Sequence, residues 1–213
     1  MPQPSRRLLP PPLYAILDPE QTKSRAPETV LQELLEGGIR LLQLRVKAMS
    51  AAEFLQLAHA VRTLTRSYAC RLIVNDRVDV ALGCAADGVH LGQEDLPLHA
   101  ARKLTGDKII GISTHEVKQA REAERGGADY IGFGPMFGTT TKETGYSARG
   151  LDMLRRVREA VSIPIVAIGG ITEDNVNEVW QAGADSAAII SDLLSADDIV
   201  TKTKRILACH PAI

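Results

Sequence analysis

Short apolar runs punctuate the chain at regular intervals. They are Leu13–Leu17 (LYAIL), Leu41–Leu44 (LLQL), Leu72–Val74 (LIV), Gly88–Leu91 (GVHL), Ile109–Ile112 (IIGI), Tyr130–Phe133 (YIGF), Ile163–Ile168 (IPIVAI) and Ala187–Ile190 (AAII). Runs of this length without polar alternation suit strands buried on both faces. Between them lie amphipathic segments such as ETVLQELLEGG, AAEFLQLAHAVRTLTR, THEVKQAREAERGG, LDMLRRVREAV, TEDNVNEVWQAGA and SADDIVTKTKRIL. Their apolar residues recur at spacings of three and four, one face of a helix. Gly37-Gly38, Gly126-Gly127 and Gly183 follow a last helical turn, where C′ glycines sit. Thr172 ahead of Glu173 and Asp174 reads as a helix start.

Strands alternating with helices across short gaps imply parallel βαβ units. Eight such units in 213 residues predict an α/β fold, a single-domain (β/α)8 TIM barrel at the small end of its size range. A doubly wound open sheet is the alternative, but no glycine-rich nucleotide fingerprint follows the first strand. No composition break divides the chain. Residues 1–12 read as a loose tail, 13–207 as the barrel and 208–213 as a C-terminal tail.

Charge narrows the function classes. Basic and acidic residues number 25 and 26, a net charge of −1, so there is no general field for nucleic acid or an anionic membrane. Aromatics at 4% offer no base-stacking platform. No apolar run approaches the ~18 residues of a membrane span, and MPQPSRRLLPPP lacks the apolar stretch of a signal peptide. Cys70, Cys84 and Cys209 form no CxxC pair and suggest neither a disulfide framework nor a zinc site. A cytoplasmic protein acting on small molecules, as a monomer or small homo-oligomer, is the expectation.

In a barrel the chemistry sits where strands end and βα loops begin. Those positions hold Gln43, Arg45 and Lys47 (QLRVK) after the second strand, and Asn75, Asp76 and Arg77 (VNDR) after the third. His90, Gln93, Glu94 and Asp95 (VHLGQED) follow the fourth, and Ser113, Thr114 and His115 the fifth. The sixth opens the loop FGPMFGTTTKETGY, residues 133–146, with Thr139, Thr140, Thr141 and Lys142. Hydroxyls, backbone N–H groups and an ammonium suit a phosphate, although a solvated polar loop would look the same in isolation. Gly169-Gly170 ends the seventh strand and Ser191 the eighth, where this fold often builds a phosphate site; glycines serving only a turn are the plainer reading.

Alternation sends Gln43, Arg45 and Lys47 the same way. Asp76 and Asp95 follow successive strands. If those strands are neighbours, two carboxylates with substrate oxygens and water make a Mg²⁺ arrangement rather than a zinc one. Either aspartate capping the next helix is the alternative, above all Asp95 before Leu96-Pro97. His90, inside an apolar run, reads as a hydrogen-bonded core histidine ahead of a catalytic one. His115 reads as opening a helix, either beside its cap or touching substrate.

Taken in order, QLRVK, VNDRVDVAL, ADGVHLGQEDLP, STH, ADYIGFGPMFGTTTK, IPIVAIGGI and IIS closely resemble the thiamine phosphate synthase family, from about Leu13 to Leu207. The resemblance implies a barrel that joins hydroxymethylpyrimidine diphosphate to a thiazole phosphate with Mg²⁺. It implies that Arg45, Lys47, Asn75 and Lys142, with Ser113 beside them, address the diphosphate. It gives Asp76 and Asp95 to the metal and Gln43 to the pyrimidine. Thr139 and Thr141, with Gly170, Ile190 and Ser191, fall to the thiazole phosphate. Two positions depart from the family: Val46 stands where glutamate is usual between Arg45 and Lys47, and Gly138 where proline is common. Residues 143–150 match nothing assignable, with Arg149 a candidate extra anion contact. The rivals are a thiazole tautomerase of the same barrel family, a catalytically silent phosphate-binding barrel, and a sugar-phosphate isomerase. Lys47, Asp76 and Asp95 together speak against the first, the carboxylate pair against the second, and the number of cations against the third.

Overall fold

The computed structural model describes residues 10–138 and 147–210. Eight parallel strands close into a barrel in chain order. They are β1 (Leu13–Leu17), β2 (Leu41–Leu44), β3 (Arg71–Asn75), β4 (Gly88–Leu91), β5 (Ile109–Thr114), β6 (Tyr130–Phe133), β7 (Ile165–Ile168) and β8 (Ser186–Ile189). β8 returns to pair with β1 through Leu13 beside Ala187 and Ala15 beside Ile189. The helices are α1 (Pro27–Glu36), α2 (Ala51–Ser67), α3 (Val78–Gly83), α4 (Leu98–Thr105), α5 (Val117–Arg125), α6 (Gly150–Ala160), α7 (Val176–Gln181), α8 (Ser191–Leu194) and α9 (Ile199–Ala208). The (β/α)8 expectation holds, and the open sheet does not.

Alternation along each strand sorts the apolar residues into two cores. In β1, Leu13, Ala15 and Leu17 join the large outer cluster beneath the helices. Tyr14 and Ile16 point into the barrel with Leu41, Ile73, Tyr130, Val166 and Ala188. The interior is thus filled by side chains, as an eight-stranded barrel requires. Glycine makes part of this possible. A Cβ on Gly111 would lie 2.1 Å from Tyr130 Cζ, so only glycine on β5 leaves room for that ring.

Three local features matter later. Helix α1 ends in a Schellman motif: the Gly38 N–H donates to Leu35 O at 3.1 Å and the Ile39 N–H to Leu34 O at 3.1 Å, with Gly38 at φ 109°. The ends of α2 and α3 repeat that pattern with alanine, Ala69 at φ 51° and Ala85 at φ 52°. At the opposite end of the barrel from the loops that follow the strands, an aspartate before an even strand ties two elements together. Asp87 accepts the Leu72 N–H of β3 at 2.7 Å and pairs with Arg62 of α2 at 2.6 Å. Asp129 does the same with Ile110 and Arg102, both through Oδ2, at 2.8 and 2.6 Å. Asp185 does so with Ile165 and Arg158, both at 2.8 Å. Before β2 the corresponding residue is Arg40.

Some boundaries differ from the sequence reading. β5 runs on through Ser113 and Thr114. β7 begins at Ile165, after Pro164, which has no N–H to give. Ile190 lies just past β8. Thr172 does not start α7. It sits in a turn where its N–H donates to Asn175 Oδ1 at 2.9 Å, and the helix begins at Val176. His115 likewise precedes α5, which begins at Val117.

Candidate active site

An open pocket of about 820 Å³, counting its mouth, lies at the barrel end where the strands finish, a size ordinary for a small-molecule site. Gln43, Arg45, Asn75, Ser113 and Ile190 line it, as do Tyr14, His90 and His115. Lys47, Asp76, Asp95, Gly170 and Ser191 are not among its lining residues. Thr139, Thr141 and Lys142 lie outside the described residues. Gly138, the last described residue before them, stands against Gly170: a Cβ on Gly170 would be 2.6 Å from Gly138 O.

Arg45 extends the β2 ladder by one bond, its N–H donating to Leu17 O at 3.0 Å. Its guanidinium pairs with the fully buried Asp18, whose other oxygen accepts the Glu20 N–H at 3.0 Å. Val46, one residue on, packs against the outer apolar cluster, as alternation expects. Lys47 turns to the rim, where its Nζ is 2.5 Å from Asp76 Oδ2.

Asp76 is aimed by its backbone. It sits at φ 61°, a left-handed conformation that aspartate tolerates better than most residues. The flanking Arg77 N–H donates to Asn75 O at 2.7 Å, and the Asp76 N–H to His90 O at 2.8 Å. β3 and β4 are neighbours, with Asn75 beside His90. Asp76 and Asp95 accordingly stand close enough for their charges to interact. Burial holds the Asp95 carboxyl above its ordinary range, and the like charge of Asp76 pushes it the same way. Asp95 does not cap α4. It turns back to accept the Gly92 N–H at 2.6 Å, and Pro97 occupies the cap position. Among the described residues no three His, Cys, Asp or Glu side chains gather as a metal cluster.

The pocket floor is a line of hydrogen bonds across the barrel. Gln43 Nε2 donates to Tyr14 Oη at 3.1 Å, and Tyr14 Oη is 3.0 Å from Tyr130 Oη. Tyr130 Oη is 3.0 Å from His90 Nδ1, and His90 Nε2 is 2.9 Å from Ser113 Oγ. His90 is therefore the hydrogen-bonded interior histidine the sequence suggests, and its ring also reaches the pocket. A Cβ on Gly132 would lie 2.9 Å from its Cε1. His115 Nδ1–H donates to Gly134 O at 2.6 Å.

Sequence reasoning passed over Asp18, Tyr14 and Tyr130. Asp18 directly follows β1 and carried the same strand-end signal as Asn75 or Ser113. The tyrosines carried a weaker one, since a buried phenol needs a partner for its hydroxyl.

Known proteins resemble this chain along nearly its whole length. The family model of thiamine monophosphate synthase matches residues 13–193. The thiamine-phosphate synthase of Chloroflexus aurantiacus is 45% identical over 196 residues, 92% of this chain and 91% of the relative. That of Halalkalibacterium halodurans is 47% identical over 188 residues, 88% and 89% of the two chains. The solved thiamine phosphate pyrophosphorylase of Pyrococcus furiosus superimposes with a TM-score of 0.86 at 39% identity, covering 93% of this chain and 94% of that one. These matches span nearly the whole of a closed eight-stranded barrel, and the chain belongs to the thiamine monophosphate synthase family, a family of transferases.

Proposed function

We propose that the protein joins hydroxymethylpyrimidine diphosphate to a thiazole phosphate, giving thiamine monophosphate and diphosphate. The observation that carries this reading is the carboxylate pair Asp76 and Asp95 beside Lys47, next to a pocket entered by Arg45 and floored by Gln43. Two neighbouring oxygen-donor groups fit a hard cation, and diphosphate oxygens with water would complete the shell that Mg²⁺ prefers. Bound there, Mg²⁺ would neutralise charge on the departing diphosphate.

The chain's own residues do the rest. Arg45, oriented by Asp18, and Lys47 face the diphosphate, joined by Asn75, Ser113 and, from the sequence, Lys142. Cations held ready for charge that grows in the transition state are the strongest lever such a site has. Gln43 addresses the pyrimidine. Gly170, Ile190 and Ser191, with Thr139 and Thr141, take the thiazole phosphate. No general base is needed, because the thiazole nitrogen attacks with a lone pair and has no proton to lose. The aminopyrimidine stabilises positive charge at its methylene carbon, so diphosphate leaves ahead of attack. Apolar walls such as Val166 and Ile168 limit capture of that cation by water. A cytoplasmic monomer or small homo-oligomer belongs to the same reading.

The test mixes purified protein, both substrates and Mg²⁺ and follows thiamine phosphate as thiochrome fluorescence alongside diphosphate release. Equal amounts of both products, abolished by EDTA and restored by Mg²⁺, are expected. Isomerised thiazole phosphate without coupling would overturn the reading in favour of the tautomerase, for which His115 in the pocket wall is the available proton carrier.

A further inference from the structure

The floor of the pocket has a direction. Burial raises both phenols, Tyr14 and Tyr130, above the ordinary tyrosine range, so each keeps its single proton and donates one bond. Gln43 Nε2 already donates to Tyr14. The proton of Tyr14 then goes to Tyr130, and that of Tyr130 to His90 Nδ1. A neutral His90 protonated at Nε2 donates to Ser113 Oγ, which turns the Ser113 proton towards the pocket. Run backwards, Ser113 donates to Nε2, Nδ1–H donates to Tyr130, and Tyr14 donates to Gln43 Oε1. Each end of the chain therefore knows the state of the other. An outward-donating Ser113 goes with a Gln43 that shows its carbonyl, and an inward-donating Ser113 with a Gln43 that shows its NH2.

We propose that Gln43, Tyr14, Tyr130, His90 and Ser113 form a one-way hydrogen-bond chain in which an anion at Ser113 fixes the direction and so makes Gln43 present an acceptor that selects an amino-substituted pyrimidine. A diphosphate oxygen only accepts, so it demands the outward Ser113 proton. That demand passes through four side chains to Gln43 Oε1. An exocyclic amino group can donate to this atom, whereas an oxo group in its place would set two acceptors against each other. Tyr14, Tyr130 and His90 are positioning residues in this scheme. The inference rests on the substrates proposed above, but the chain of contacts itself does not.

The test has two arms. In the first, full-length protein labelled with ¹⁵N-histidine is studied by long-range ¹H–¹⁵N NMR with saturating inorganic pyrophosphate and Mg²⁺, and His90→Gln assigns the signal. A neutral ring protonated at Nε2 is expected. An Nδ1–H tautomer or an imidazolium overturns the chain. In the second, calorimetry compares an amino- and an oxo-pyrimidine methanol, both with pyrophosphate present. The wild type should prefer the amino compound, and Tyr14→Phe should cut that preference about tenfold while leaving the His90 tautomer unchanged. Tyr130→Phe should cut it equally, with His90 still protonated at Nε2 while pyrophosphate is bound, because Ser113 alone then fixes the tautomer. Neither change in a folded variant means that the two ends are independent. The expected tautomer with no pyrimidine bound at all would sink the synthase reading and leave the hydrogen-bond chain standing.

Discussion

Asp18→Asn separates the two jobs of one buried carboxylate. Asp18 is fully buried, pairs with Arg45 and accepts the Glu20 N–H. The asparagine keeps one oxygen for Glu20 but removes the charge opposite the guanidinium. Breaking a buried pair by removing one partner typically costs about 3–5 kcal/mol. The Arg45 side chain keeps 13% of its exposure at the pocket, which places the expected loss near the lower bound, about 3 kcal/mol. With a urea slope of about 3 kcal/mol per molar, the upper end for small proteins, the midpoint falls by about 1 M. Binding should respond differently. Removing a negative charge near the diphosphate favours the anion by an amount on the order of 1 kcal/mol, while loss of the guanidinium's fixed aim opposes it. Affinity for inorganic pyrophosphate is therefore expected to stay within about threefold. The rate needs Arg45 aimed at the departing group, so kcat should fall on the order of tenfold or more. Asp18→Ala should be less stable again, since the Glu20 N–H also loses its partner. A variant with an unmoved urea midpoint and wild-type kcat would refute the assignment of Asp18 as the brace of Arg45.

Asp76→Asn, and Lys142→Ala outside the described residues, should each lower kcat on the order of 10²-fold; for Asp76→Asn, an unchanged circular-dichroism melt is also expected, because asparagine tolerates the left-handed backbone. Normal turnover in either would remove that residue from the diphosphate or metal site. Gly111→Ala places a Cβ 2.1 Å from Tyr130 Cζ and should cost at least the usual 1–3 kcal/mol of overpacking, read as a urea midpoint shift. Ala69→Gly and Ala85→Gly relieve left-handed strain of about 1–2 kcal/mol against a glycine entropy cost of up to about 1 kcal/mol, so each should raise stability by about 0.5 kcal/mol. A drop in stability would show that their positive φ carries no strain.

The strands were legible because each is a short apolar run with no polar alternation, the mark of burial on both faces. Their ends were less so. The hydroxyls of Ser113 and Thr114 look like a loop in sequence, yet they continue the β5 ladder, where Thr114 Oγ1 donates to Gly132 O at 3.1 Å. The short α3 and α4 have too few turns for periodicity to declare itself. At the site, alternation along β2 pointed to Gln43, Arg45 and Lys47, of which the first two line the pocket and Lys47 does not; Asn75, found by its place at a strand end, lines it too. Alternation could not point to Asp18 as the partner of Arg45, because that pairing depends on the register of β1 against β2, Ile16 beside Gln43 and Leu17 beside Leu44. Nor could it distinguish Asp95 as a helix cap from Asp95 beside Asp76, a choice made by how the chain turns at Gly92.

The arginine–aspartate clamps before β4, β6 and β8 divide the molecule into cassettes. Each spans 25 to 27 residues between its arginine and its aspartate, so it can close as soon as the arginine's helix and the strand and helix after it have been made. The clamps hold strand beginnings from outside the barrel, whereas Arg45, Lys47, Asn75, Asp76 and Asp95 stand at strand ends or beyond. Loops at the chemical end can therefore be shortened, lengthened or exchanged without loosening a clamp, which is the freedom a lineage needs to change substrates while keeping its barrel. The first cassette, with Arg40 in the aspartate's position, lacks this fastening. It marks the seam at which the ring should first part in hydrogen exchange.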